Sequence, residues 1–158
     1  MDHHCIWMSV CVNYDNHGDF VRFLFFSSLS HCYISCVYIY NLYLVCKGKL
    51  IIPGKWTVVL CIFTVVALGF WLISGLIFKT QMKLILLNVT FLEEMALFEY
   101  DLEDNPILFK KYDLGTLKNL EDVFGPCYFL FLWRPRGDGV NFISNSDLLE
   151  PLYHSDYV

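Results

Sequence analysis

Asp2, His3, His4 and Cys5 set a carboxylate, two imidazoles and a thiol on consecutive residues. That combination suits nucleophilic catalysis. A thiol attacks carbonyl carbon poorly until it is deprotonated. A neighbouring imidazole can take the proton, and a carboxylate can orient that imidazole. In an extended backbone side chains alternate, so His3 and Cys5 share a face while His4 points away. Asp2 then needs a bend to reach His3. Cys5 reads as the nucleophile, His3 as its base and Asp2 as the group that orients the base. His4 is left for another task, and metal binding is the obvious one.

The elements that must position these residues are apolar. The chain has 158 residues, of which 56% are hydrophobic and 17% charged, and its mean hydropathy is +0.48. A soluble domain of this size carries roughly one-quarter charged residues, so the excess of Phe, Tyr and Leu points to lipid contact. The net charge of -5 argues against a nucleic-acid partner, whose phosphates need cations. Cys32, Cys36 and Cys61 lie inside apolar runs and Cys46 ends one. This favours reduced thiols in a membrane protein over a disulfide frame. The first residues are polar and lack the apolar core of a cleavable signal peptide.

Phe20 to Cys46 predicts a membrane helix, interrupted by Ser27, Ser28, Ser30, His31, Ser35 and Asn41. Small hydroxyl residues allow close helix contact in lipid, and Arg22 can snorkel to the interface. His31 reads either as an intramembrane base or, more simply, as a hydrogen-bonded structural histidine. Residues 47–55 form a short loop with Pro53 and Gly54 as turn signals. Trp56 to Phe78 predicts a second membrane helix, free of charge, so that the pair forms an antiparallel hairpin. Beyond it, Thr90 and Glu93 have capping-box spacing. Residues 93–104 are acidic and read as a solvated helix face, which Asn105-Pro106 breaks. Residues 129–133 are too short to span a bilayer and could lie at its surface. The stretch 144–158 is a polar, mobile terminus ending Asp156-Tyr157-Val158, a weak match to PDZ ligands.

The run from Asp2 to Asn13 closely resembles the catalytic segment of the DHHC protein S-acyltransferases, the palmitoyltransferases. Trp7 and Cys11 match that family, the latter six residues after Cys5, while Ile6 stands where proline is usual. Asn16, Phe20 and Phe23 fit the family's entry into its next helix. Thr90 and Glu93 match a Thr-Thr-x-Glu motif in which Phe91 replaces the second threonine, a residue able to bond the catalytic aspartate. Residues 112–125 resemble the carboxy-terminal motif, with Asn119 as its asparagine and Phe124-Gly125 as its closing turn.

The resemblance implies an all-α integral membrane protein whose two helices are the last two of a four-helix parent. It also implies an amino-terminal truncation. Residues 1–19 would be the remnant of a cysteine-rich catalytic domain, 20–46 and 56–78 the membrane helices, 79–143 a cytosolic tail and 144–158 its terminus. The implied reaction moves a fatty acyl group from acyl-CoA, typically palmitoyl-CoA, through a Cys5 thioester to a cysteine of a substrate protein. Trp7 and Ser30 would border the acyl cavity, and Thr90, Glu93 and Asn119 would support the site. His4 and Cys11 map onto ligands of a structural zinc site whose other ligands would lie upstream, which leaves the site incomplete in this chain. The catalytic segment would face the cytosol in the endoplasmic reticulum, Golgi or plasma membrane. The lysines of the 47–55 loop would by themselves place that loop in the cytosol instead. The sequon Asn88-Val89-Thr90 is usable only if its end faces the lumen. Three further readings stand beside this one. They are a catalytically inactive truncated hairpin, a metal-binding membrane peptide using Asp2, His3, His4 and Cys11, and Cu(II) or Ni(II) chelation by His3 with a free terminus.

Overall fold

The computed structural model describes residues 2–99, 112–125, 139–142 and 144, with side chains through residue 95 in the first stretch. In order these form β1 (His3–Cys5), β2 (Val10–Val12), α1 (His17–Cys46), α2 (Gly54–Leu87), α3 (Phe91–Glu99) and α4 (Thr116–Phe124). The amino-terminal segment is therefore a tight antiparallel hairpin, with His3 opposite Val12, His4 opposite Cys11 and Cys5 opposite Val10. The expected interfacial run 129–133 and the PDZ-like end lie outside the described residues. The chain divides into two compact units, residues 1–21 with 80–158 and residues 22–79.

The second unit holds most of the two long helices and the loop that joins them. Phe25 meets Phe78, Ser28 meets Gly75 and His31 stacks on Phe70. Positions rise on one helix as they fall on the other, so the two run antiparallel. A methyl added at Gly75 would stand 3.4 Å from Ser28 Oγ, which marks a close approach. Ser35, Thr64, Ala67 and Ser74 are the small buried residues here. Large apolar side chains such as Phe26, Tyr40, Phe63 and Leu76 face outward. Helices of 30 and 34 residues are about 45–50 Å long and exceed a hydrocarbon core of about 30 Å. Both are long and apolar enough to cross a membrane.

Each helix runs past its apolar stretch. α1 starts at His17 because Asn13 organises the turn before it: its carbonyl accepts from the His17 amide at 2.8 Å. Its side chain accepts from the Asp15 and Asn16 amides. α2 does not stop at Phe78, since Gln81, Leu84, Ile85 and then Val89 are buried at helical spacing and carry the pattern onward. It ends where Asn88 takes a left-handed φ of 50°. There the Val89 amide reaches Leu84 O and the Asn88 amide reaches Ile85 O, both at 3.0 Å. Gly48, with φ 68°, closes α1 the same way.

The first unit is built around the far ends of those helices. Among the described residues, Cys5, Val12, Phe20, Val21, Leu84, Ile85, Val89 and Phe124 are its buried apolar side chains. Asn119 of α4 is fully buried, at 0% exposure. Its carbonyl accepts from the Leu114 amide at 3.0 Å. Its amide donates to Leu86 O at 2.9 Å and to Asp113 Oδ1 at 2.8 Å. It thus ties the end of α2 to the start of α4. Replacing Asn119 with Ala leaves these groups unpaired and is expected to cost about 2–4 kcal/mol, read as a lower unfolding midpoint in detergent.

Asp122, also on α4, has its carboxyl held above the ordinary value of 3.8, chiefly by burial and then by the adjacent Glu121 charge. A hydrogen bond from Asn88 and the Lys118 charge oppose this. A carboxyl whose folded pKa is raised stabilises the fold most when protonated. That contribution is lost as pH rises from about the ordinary value through the raised one. Asp122→Asn is therefore expected to raise the unfolding midpoint at pH 7, with the gain shrinking toward pH 4.

Candidate active site

β1 is extended, so alternation holds: His3 and Cys5 share one face and His4 takes the other. The Asp2 amide bonds Val12 O at 2.8 Å, which pairs the residue before β1 with the end of β2. Asp2 Oδ2 lies 2.7 Å from His3 Nδ1. With Nδ1–H donating to the carboxylate, Nε2 is the acceptor nitrogen. Cys5 is 7% exposed and Asp2 5%, so thiol and carboxylate are both shielded from bulk water. Among the described residues no hydrogen bond joins His3 to the Cys5 sulfur in this structure.

The other Asp2 oxygen has a partner that the sequence reading missed. The Phe91 amide donates to Asp2 Oδ1 at 2.7 Å, across 89 positions of sequence. Phe91 is the first residue of α3, and its amide is one of the unsatisfied donors that every helix start presents. The Phe91 ring also stands edge-on to His3 at 6.0 Å between centroids, and Phe20 does so at 5.0 Å. Two aromatic rings thus flank the imidazole. The only signal for this in the sequence was Phe91 itself, standing where the family motif has threonine.

Thr90 and Glu93 bond one another and not Asp2. The Thr90 amide and hydroxyl donate to Glu93 Oε2 at 2.7 and 2.8 Å, and the Glu93 amide donates to Thr90 Oγ1 at 3.2 Å. This reciprocal capping box fixes the start of α3, and with it the amide that holds Asp2.

On the opposite face of the hairpin His4 Nδ1 lies 3.4 Å from Cys11 Sγ. A tetrahedral zinc bound at about 2.0–2.1 Å to nitrogen and 2.3 Å to sulfur separates such donors by roughly 3.5 Å. The pair therefore fits two corners of a zinc site. Among the described residues no group of three or more His, Cys, Asp or Glu side chains forms a metal site. Trp7 stands 76% exposed between the strands, beside Ile6 at 77%. Ser30 is exposed on α1, in the other unit.

Residues 1–97 match the family model described as DHHC palmitoyltransferase, and the chain belongs to that family. Palmitoyltransferase ZDHHC15 of Xenopus laevis is 29% identical over 147 residues, covering 90% of this chain and 42% of that protein. Probable protein S-acyltransferase 15 of Arabidopsis thaliana is 28% identical over 168 residues, covering 93% and 60%. Probable protein S-acyltransferase 12 of the same plant is 31% identical over 131 residues, covering 79% and 41%. The chain thus spans about two-fifths to three-fifths of the length of these relatives.

Phe91→Pro separates the two contributions of that residue. Proline is well tolerated at a first helical position but has no amide to give Asp2, whereas Phe91→Ala keeps the amide and removes the ring. Both variants are expected to retain α3 by circular dichroism. Phe91→Pro alone is expected to expose Cys5, read as faster alkylation by a polar maleimide, because the buried Asp2 carboxylate loses one of its two anchors.

Proposed function

We propose that this chain carries protein S-acyltransfer, with Cys5 as nucleophile, His3 as general base and Asp2 as the group that fixes the base. The observation that carries this reading is the doubly anchored Asp2: one oxygen on His3 Nδ1 and the other on the Phe91 amide, each at 2.7 Å. Such an arrangement keeps His3 in the tautomer whose Nε2 can accept a proton.

In the first step Nε2 takes the Cys5 proton, and the thiolate attacks the carbonyl carbon of a fatty acyl-CoA. The carbon–sulfur bond to CoA breaks as the one to Cys5 forms. The leaving CoA thiolate recovers the proton from the imidazolium. In the second step the sulfur of a membrane-proximal cysteine on a substrate protein, deprotonated by Nε2, displaces Cys5 from the same carbonyl. The free enzyme thiol is restored. Covalent transfer of this kind gives ping-pong kinetics. Trp7 and Ser30, both exposed, are the residues assigned to the acyl chain.

Zinc, when bound, supplies a structural cross-link with no part in the proton transfers. His4 and Cys11 would hold it, with further ligands from elsewhere in the cysteine-rich domain, and it would clamp β1 to β2. The reading also assigns the hairpin and tail to cytosolic chemistry at the endoplasmic reticulum, Golgi or plasma membrane, where acyl-CoA is available and thiols stay reduced.

Labelling in cells with an alkyne fatty acid tests the reading. The chain is expected to acquire a hydroxylamine-sensitive label, Cys5→Ser to lose it, and Asp2→Asn to reduce its rate by about 10²–10⁴-fold. Label that survives Cys5→Ser would overturn the assignment of the nucleophile. No label on the unmodified chain would favour the inactive hairpin.

A further inference from the structure

The loop end of the α1–α2 hairpin has a feature that acyl transfer does not use. Tyr38 and Asn41 of α1, Leu50 and Ile52 of the loop, and Trp56 and Phe63 of α2 line a groove of about 310 Å³. That is the lower end of ligand-sized pockets, with room for part of one acyl chain. Of its polar side chains Asn41 is already engaged, its amide donating to Val37 O at 2.8 Å. The rest of the lining is aromatic and aliphatic, so the groove is mainly an apolar surface.

The loop beside it is cationic. Lys47, Lys49 and Lys55 stand on or beside the loop, and no Asp or Glu occurs between Asp19 and Glu93. No carboxylate of the hairpin can neutralise them. Two of these lysines lie against aromatic rings. Lys47 Nζ is 5.9 Å from the Tyr43 centroid and Lys55 Nζ is 5.8 Å from that of Trp56. Cation–π attraction holds both ammonium groups close to the helices, at the level where Trp and Tyr mark a membrane interface. Trp56 belongs to both features, since it lines the groove and carries Lys55 on its ring.

An apolar slot beside a cationic loop matches an amphiphile with an anionic head. We propose that this end of the hairpin binds an anionic glycerophospholipid, its phosphate against Lys47, Lys49 and Lys55 and one acyl chain in the groove beside Trp56. Basic pockets between membrane helices recognise anionic head groups by the same physics. The proposal is independent of whether Cys5 transfers acyl groups.

The test uses the full chain in phosphatidylcholine nanodiscs containing equal fractions of acyl-brominated phosphatidylserine or acyl-brominated phosphatidylcholine. Bromine quenches tryptophan on contact, and the Trp56 component is the difference between the native chain and Trp56→Phe. Phosphatidylserine is expected to quench that component at least about threefold more effectively, since a single lysine near an anionic surface favours binding by about fivefold. The preference is expected to shrink in 1 M salt and to vanish in Lys47→Gln/Lys49→Gln/Lys55→Gln. Equal quenching by the two lipids in the native chain overturns the proposal, because the groove then holds only boundary lipid. Quenching by neither also overturns it, because protein, such as another helix or a second copy, then covers the groove. A preference that survives the triple substitution removes the lysines from the site.

Discussion

The buried carboxylate of Asp2 sets the terms for the rest of the first unit. A carboxylate removed from water at 5% exposure is costly, by several kcal/mol, unless both of its oxygens find donors. Here one oxygen takes the imidazole N–H of His3 and the other takes the Phe91 amide. The second donor sits at a helix start, where the peptide dipoles also favour negative charge. A hairpin of two three-residue strands is marginal by itself. It is made part of a larger body by the Phe91 bond, by the ring contacts of Phe20 and Phe91 with His3, and by burial of Val12 at 1% exposure. The carboxylate that holds His3 therefore also makes the hairpin dependent on the α2–α3 corner.

That corner is itself built from local signals. Asn88 ends α2 in a left-handed conformation, Thr90 and Glu93 cap α3, and Asn119 ties Leu86 to the start of α4. Thr90 and Glu93 were legible in the sequence from their capping-box spacing and Asn119 from the family motif. Asn88 was legible only as part of a sequon, and its left-handed, helix-ending role was not. Nor was the Phe91 amide. Every residue but proline has a backbone N–H, and which one becomes a ligand is decided by contacts 89 positions apart. The ring contacts of Phe20 and Phe91 with His3 were hidden for the same reason. Helix extent was only half legible, since hydropathy reports the solvent around a segment and says little about where the backbone stops. α2 runs on to Leu87 because Gln81, Leu84 and Ile85 have a core to enter.

The polar residues within the long helices follow the logic of a medium without water. A hydroxyl buried between membrane helices has no solvent partner, and the carbonyl one turn back is the nearest acceptor. Ser35 bonds His31 O, Thr64 bonds Leu60 O and Ser74 bonds Phe70 O, each at 2.7 Å. His31 does likewise, its Nδ1–H donating to Ser27 O at 2.7 Å while its ring stacks on Phe70. This fits the plainer of the two sequence readings of His31. The hydroxyls thus spend their hydrogen bonds within their own helices, and what they bring to the α1–α2 contact is small volume, as at Ser28 and Gly75.

The two places where this chain departs from its family's motifs can be compared on the same footing. Ile6 replaces a proline at the turn between β1 and β2, where its side chain is 77% exposed. The hairpin register is set by the backbone pairs from His3–Val12 to Cys5–Val10, and none of them involves Ile6. Phe91 replaces a threonine whose hydroxyl could bond the catalytic aspartate, yet Asp2 is still held, because the amide of the same residue reaches it. In both cases the side chain differs while the task falls to main-chain atoms. A motif written in side chains overstates what such positions require. The main-chain requirement is narrower: any residue but proline can supply the amide at position 91, provided Thr90 and Glu93 keep the start of α3 where it is.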